Sequence, residues 1–108
     1  MRILVVSDTH GDLRSLIKAV DAQRKAEIIV HCGDGEEQQR FLKDNYKGKM
    51  IVAVRGNCDW NSFFPSKEIF KACGKTIFVT HGHLYDAKSG LYRITSAARE
   101  AGADILLF

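Results

Sequence analysis

What the chain lacks narrows its range of functions first. Three cysteines, Cys32, Cys58 and Cys73, form no C-x-x-C pair and are odd in number, which argues against a secreted disulfide framework. Proline is reduced to Pro65, and no repeat, low-complexity tract or linker divides the 108 residues, so 1–108 reads as one domain. No apolar run approaches the roughly 20 residues of a membrane-spanning helix. The short run Ile3-Leu4-Val5-Val6 meets Asp8 almost at once, unlike a signal peptide. Neither G-x-x-x-x-G-K nor G-x-G-x-x-G occurs, so nucleotide binding through a glycine-rich phosphate loop is disfavoured. Sixteen Lys and Arg are scattered among thirteen acidic residues, net +3, without the basic stripe of a nucleic-acid-binding domain. That balance tolerates phosphate substrates and leaves nucleic acid open without indicating it. The expectation is a reduced, soluble, cytoplasmic domain with no membrane partner.

What is present is a set of metal-ligand residue types that recurs after apolar strands. Ser7-Asp8-Thr9-His10-Gly11 follows Ile3 to Val6. Cys32-Gly33-Asp34-Gly35 follows Ile28 to Val30, Arg55-Gly56-Asn57-Cys58-Asp59 follows Met50 to Val54, and Thr80-His81-Gly82-His83 follows Thr76 to Val79. In an open α/β sheet, ligands bind beyond the carboxyl ends of the strands. The four clusters are therefore expected to meet at one sheet edge, and their oxygen and imidazole donors suit a pair of transition-metal ions better than a covalent nucleophile.

The intervening segments fill in an α/β pattern. The first strand is predicted over about residues 2–7, buried on both faces because its run does not alternate. Asp12 is a candidate N-cap for a helix bearing Leu13, Leu16, Ile17 and Val20. A weaker helix is predicted from Glu36 to Tyr46 on Phe41 and Leu42, closed by Lys47-Gly48-Lys49. Trp60 to Ser66, with Pro65 and two aromatics that read as exposed, forms a loop over the site. Two strands flank Gly74-Lys75 as a tight hairpin, which makes the sheet mixed. Ser89 is a candidate N-cap for a last helix with Leu91, Ile94, Ala97, Ala98 and Ala101, ended by Gly102. Asp104 to Phe108 then reads as a buried strand, and left unpaired it would invite association between chains.

Asp8 and His10, spaced i, i+2, can face one metal, although the pair also suits a solvated turn. Asp34 after Gly33 is the bridging candidate, since one carboxylate can reach two metals about 3.5–4 Å apart. A turn-forming Asp is the alternative. Asn57 offers a neutral amide oxygen, or an ordinary Gly-Asn turn. His81, first after its strand, is preferred as a ligand over His83, which would support it or touch phosphate. Cys58, Asp59 and Arg55 stand beside these as substrate contacts or supporting residues. Arg14 and Arg55 read equally as solvated charges, His31 as a buried core histidine, and Cys32 and Cys73 as small core residues.

Together, Asp8-x-His10, Gly33-Asp34, Gly56-Asn57-Cys58-Asp59 and His81-Gly82-His83 resemble the calcineurin-like metallophosphoesterases, in particular their small bacterial and archaeal phosphodiesterases. The resemblance implies an α-β-β-α sandwich with mixed sheets and two divalent ions, manganese first, with nickel, iron or zinc as alternatives. On that pattern Asp8 and His10 hold one ion, Asp34 bridges, and Asn57 and His81 hold the other. A metal-bound hydroxide would hydrolyse a small phosphodiester or phosphomonoester without a phosphoenzyme. Many relatives carry His where Cys58 stands, a general acid often worth roughly 10²-fold or more, so diesters with good leaving groups are expected. The family's closing Gly-His-x-His motif would follow Phe108. The C-terminal portion of the sandwich is therefore expected to be absent, and these residues to be the N-terminal part of a longer protein. The resemblance also allows a non-catalytic scaffold, as in the retromer coat, for which a damaged first motif and a large apolar patch would be expected. Asp8-x-His10 is undamaged.

Overall fold

Alternation along the strands decides the layering. The computed structural model describes residues 1–108. In β2 (Ile28–His31) all four residues are buried, because both faces of the strand are covered. Its neighbours are β1 (Ile3–Val6) and β3 (Met50–Ala53), paired in parallel on either side. Ile29 faces α1 (Leu13–Ala22) and α2 (Glu36–Asn45), meeting Leu16, Val20 and Leu42. Ile28, Val30 and Cys32 face the other way, with Val52 and Val54, onto Ala72, Ile77 and Val79. Those last residues belong to a second sheet of β4 (Lys67–Ala72), β5 (Lys75–Thr80) and β6 (Ile105–Leu107), with β5 central. β4 runs antiparallel to β5 and β6 parallel to it. Phe78, on the opposite side of β5 from Ile77 and Val79, meets the ring of Tyr85 edge-on, and α3 (Tyr92–Glu100) packs beside β6. The result is a four-layer α-β-β-α arrangement.

Several expectations need correction. The polar clusters come from two facing sheets, not one edge, and only the second sheet is mixed. β1 is an edge strand and is not covered on both faces along its length, since Val5 is exposed. The hairpin turn is Cys73-Gly74, one residue earlier than expected. Both residues adopt positive φ, 50° and 76°, as a two-residue turn matching strand twist demands. Cys73 is accordingly exposed, not a core residue. Gly48 does not close α2, which ends at Asn45 with the Tyr46 N–H returning to the Leu42 carbonyl. Ser89 does not cap α3, because its hydroxyl donates to Asp86 and the helix starts at Tyr92. The Asp104-to-Phe108 segment is not unpaired: β6 is joined to β5 and free only on its outer edge.

Other expectations hold. Asp12 accepts from the Ser15 amide at 3.0 Å and caps α1. Gly102, φ 72°, ends α3. Its N–H reaches the Arg99 carbonyl and the Ala103 N–H the Ala98 carbonyl, the paired bonds of a Schellman stop.

His31 ties the layers to the turn after β1. It is fully buried, and its Nδ1 accepts from the Gly33 amide at 3.1 Å and from Gln39 Nε2 at 2.9 Å. The ring proton therefore sits on Nε2, which donates to Thr9 Oγ1 at 3.0 Å. Thr9 Oγ1 in turn donates to Gln38 Oε1, which also accepts from the Gly11 N–H. Gln39 Nε2 further donates to the Val54 carbonyl at 2.7 Å, joining α2 to the end of β3.

Two outcomes follow from this packing. Burial pushes His31 down to about 4 from an ordinary 6.5. Because the folded value lies below the unfolded one, the neutral ring's contribution is complete above pH 6.5 and lost as pH falls toward 4. It amounts to at most about 3 kcal/mol. Urea unfolding between pH 7 and pH 4 should show a shallower pH slope in His31→Gln than in the parent, and identical slopes would contradict the assignment. Gly33 has φ +117°, and a Cβ there would lie 2.6 Å from the His81 ring and 2.9 Å from the Gly56 backbone. Gly74, φ +76°, has open space around it. Gly33→Ala should cost roughly 2–4 kcal/mol and Gly74→Ala about 1–2 kcal/mol by denaturant unfolding. Equal losses would mean that the close approach at Gly33 is unimportant.

Candidate metal centre

The turns that carry the donors are built from backbone that side chains ordinarily avoid. Five non-glycine residues have positive φ, and three of them are Asp8 (55°), His10 (43°) and Asp34 (62°). Each such residue stores strain of order 1–3 kcal/mol, which concentrates where function dictates geometry. The strained turns are zipped together: the Asp8 N–H donates to the Gly33 carbonyl at 2.8 Å and the His10 N–H to the Asp34 carbonyl at 3.0 Å.

The zipped turns bring donors from strands far apart in sequence into one cluster. His81 Nε2 lies 3.4 Å from Asp8 Oδ1 and 3.3 Å from Asp34 Oδ2. His10 Nε2 lies 3.4 Å from Asp8 Oδ1 and 3.8 Å from Asp34 Oδ2. Asp8, Asp34 and His81 each present a donor atom within 4.8 Å of the others, and so do His10, Asp34 and Cys58. Asp34, only 4% exposed, belongs to both sets. Its Oδ1 is held by the Cys58 N–H at 2.8 Å, which leaves Oδ2 toward the imidazoles. Partial burial alone would raise the Asp8 carboxyl, but hydrogen bonds from Ser7 and His81 outweigh it and hold the group below the usual carboxylate range. Neither carboxylate has a Lys or Arg partner. Their ion-pair partners are His10 and His81 alone. Two carboxylates, one of them buried, facing two imidazoles with no fixed cation form a donor set that fits divalent metal.

The remaining sequence candidates fall around this cluster. His83 Nδ1 meets His81 Nδ1 at 3.1 Å, so it stands beside His81. Burial, and then the neighbouring His81, hold His83 below the usual imidazole range. Asn57 is exposed and joins His81, His83 and Lys88 around a cavity of about 260 Å³. Arg55 is exposed, and its charge reaches His83. Arg14 is exposed on α1 and touches none of the cluster. The Cys58 thiol is pushed up, by desolvation first and then by the Asp34 carboxylate, so it stands neutral beside His10.

Asp59 has a role that its position in the sequence does not announce. Its carboxylate accepts the N–H groups of Asp34 at 2.9 Å, Gly35 at 3.1 Å, Glu36 at 3.2 Å and Gly56 at 2.7 Å. It thereby caps α2, whose own cap residue, Gly35, has no side chain to do so. Thr9, Gln38 and Gln39 were not among the sequence candidates. The signal was there: Gln38 and Gln39 stand four and three residues before Leu42, which puts both on the buried face of α2.

A second cavity, of about 380 Å³, opens beside His10, Asp34 and Cys58 and is bounded by Glu37, Trp60 and Asn61. Comparison with known proteins places the chain in a family. The model of the calcineurin-like phosphoesterase superfamily domain matches residues 1–108. The probable metallophosphoesterase YsnB of Bacillus subtilis (strain 168) is 34% identical over 112 residues, covering 100% of this chain and 62% of its own length. Phosphodiesterase MJ0936 of Methanocaldococcus jannaschii is 27% identical over 115 residues, covering 87% of this chain and 69% of its own. Among solved structures, a predicted phosphoesterase from Streptococcus pneumoniae TIGR4 superposes with a TM-score of 0.76 at 30% identity, covering 96% of this chain and 58% of that one. Vps29 of Entamoeba histolytica complexed with zinc gives 0.74 at 20% identity, over 98% of this chain and 62% of that one, a likeness of fold alone. The chain thus spans less than two thirds of the Bacillus and Streptococcus proteins. With every residue inside the family match, the chain belongs to the calcineurin-like phosphoesterase superfamily.

Proposed function

We propose that this centre binds two divalent ions and hydrolyses phosphodiesters, the reaction class suited to metal ions about 3.5–4 Å apart. The observation that supports the reading is Asp34, a buried carboxylate common to two convergent donor sets. Asp8, His10, Asp34, Asn57 and His81 would hold the ions, with manganese first and nickel, iron or zinc as alternatives. When bound, the ions would polarise the phosphate and lower the pKa of a water for in-line attack.

The chain's own residues would then orient the reaction. For His81 to offer its Nε2 lone pair, its proton must lie on Nδ1 and be donated to His83 Nδ1. The His83 proton is then on Nε2, free to donate to a phosphate oxygen. The Cys58 N–H fixes Asp34 Oδ1, so the shared carboxylate does not rotate. The neutral Cys58 thiol is a weak acid, which favours small diesters with good leaving groups over phosphomonoesters with poor ones.

Asp34→Ala should lower manganese-dependent turnover of bis(p-nitrophenyl) phosphate by more than about 100-fold, with circular dichroism verifying the fold. A non-catalytic scaffold becomes the better reading if the parent protein binds manganese without turnover, or if Asp34→Ala leaves turnover intact. His83→Ala should weaken metal binding by roughly 10–100-fold in calorimetric titration. Undiminished affinity would remove His83 from its supporting place.

A further inference from the structure

Trp60 is 89% exposed and lines the 380 Å³ cavity beside His10 and Cys58. Phe63 is more exposed still, at 93%, but lies outside that cavity. An indole left in water contributes nothing to the core, yet this one forms a wall of a cavity that shares Asp34 with the metal centre. The volume falls in the range of small-ligand sites. Around the indole the rim is polar, with the Glu37 carboxylate and the Asn61 amide.

We infer that this cavity is a nucleobase subsite, so the substrate is a nucleoside phosphate ester whose base stacks on Trp60 while its phosphate lies over Asp34 and His10. The inference rests on the phosphodiesterase reading above. Stacking accounts for the exposed indole, because every base offers a π-face to an aromatic side chain. The rim selects a base over a plain arene: base edges carry donors and acceptors for Glu37 and Asn61, whereas an arene would desolvate those groups without replacing their water. Glu36, which also lines the cavity, is engaged by Arg40 at 2.8 Å, and Gln38 by Thr9 and Gly11. Glu37 and Asn61, with the amide nitrogen of Gln38, are left to read the ligand.

Trp60 is the only tryptophan, so its emission reports directly on the subsite. The test titrates the full chain, saturated with Zn2+, which does not quench by paramagnetism, against AMP, ribose 5-phosphate and phenyl phosphate. AMP should shift or quench the emission and, by calorimetry, bind roughly tenfold or more tighter than ribose 5-phosphate. Trp60→Ala should abolish that advantage of AMP, and Trp60→Phe should keep most of it. Equal binding of AMP and ribose 5-phosphate with unchanged emission overturns the subsite and leaves the phosphodiesterase reading standing. Phenyl phosphate binding as tightly as AMP overturns the choice of a base. Absence of binding by all three phosphates overturns the phosphodiesterase reading and the subsite with it.

Discussion

One carboxylate outside the donor cluster holds the centre together. Asp59 gathers N–H groups from the turn after β2 and from the turn after β3, and so clamps the ends of two neighbouring parallel strands. The need for it can be traced step by step. The turn after β1 must lie against α2, and Thr9 comes so close to Gly35 that a Cβ there would sit 2.0 Å from its hydroxyl oxygen. Glycine is therefore required at the start of the helix, and a helix beginning on glycine cannot cap itself through a side chain. The cap is supplied across space, and the residue that supplies it also fixes where Asp34 lies. Capping charge, close packing and donor placement are thus one constraint.

The strands and polar clusters were legible because a strand buried on both faces is a continuous apolar run, and a turn after it must be polar. Ile28 to Val30 followed by Gly33-Asp34 carries both signals in a few residues. What was illegible depended on neighbours that sequence does not name. Val5 is exposed although its run is as apolar as that of β2, because what covers each face of a strand is a property of the whole chain. The split into two sheets is set by how β4 and β5 fold back, not by any local run. The turn at Cys73-Gly74 was displaced by one residue because a cysteine accepted the left-handed conformation in order to keep the strands in register.

The donor residues were legible as types, but their arrangement was not. Asp59 reads as one more acidic residue near a glycine, since its partners lie 23 to 25 residues away along the chain, apart from Gly56. His31 was recognisable as a core histidine from its apolar neighbours, whereas its proton donation to Thr9 depends on which groups approach its other nitrogen. The cores on either side of β2 offset the strain held at Asp8, His10 and Asp34. A rigid frame and a strained rim are complementary: the frame does not relax, so the rim cannot.

The separation of Asp8 from His81 by 73 residues makes their contact a long-range one, between the turn after β1 and the end of β5. Such a contact is made only when the two sheets are docked, because each residue follows a strand of a different sheet. A chain emerging from synthesis presents Asp8, His10 and Asp34 well before β5 exists to deliver His81. Until then the donors of the first sheet lack the imidazole that the second sheet brings. The Asp8–His81 contact therefore reports that the two sheets have closed on each other.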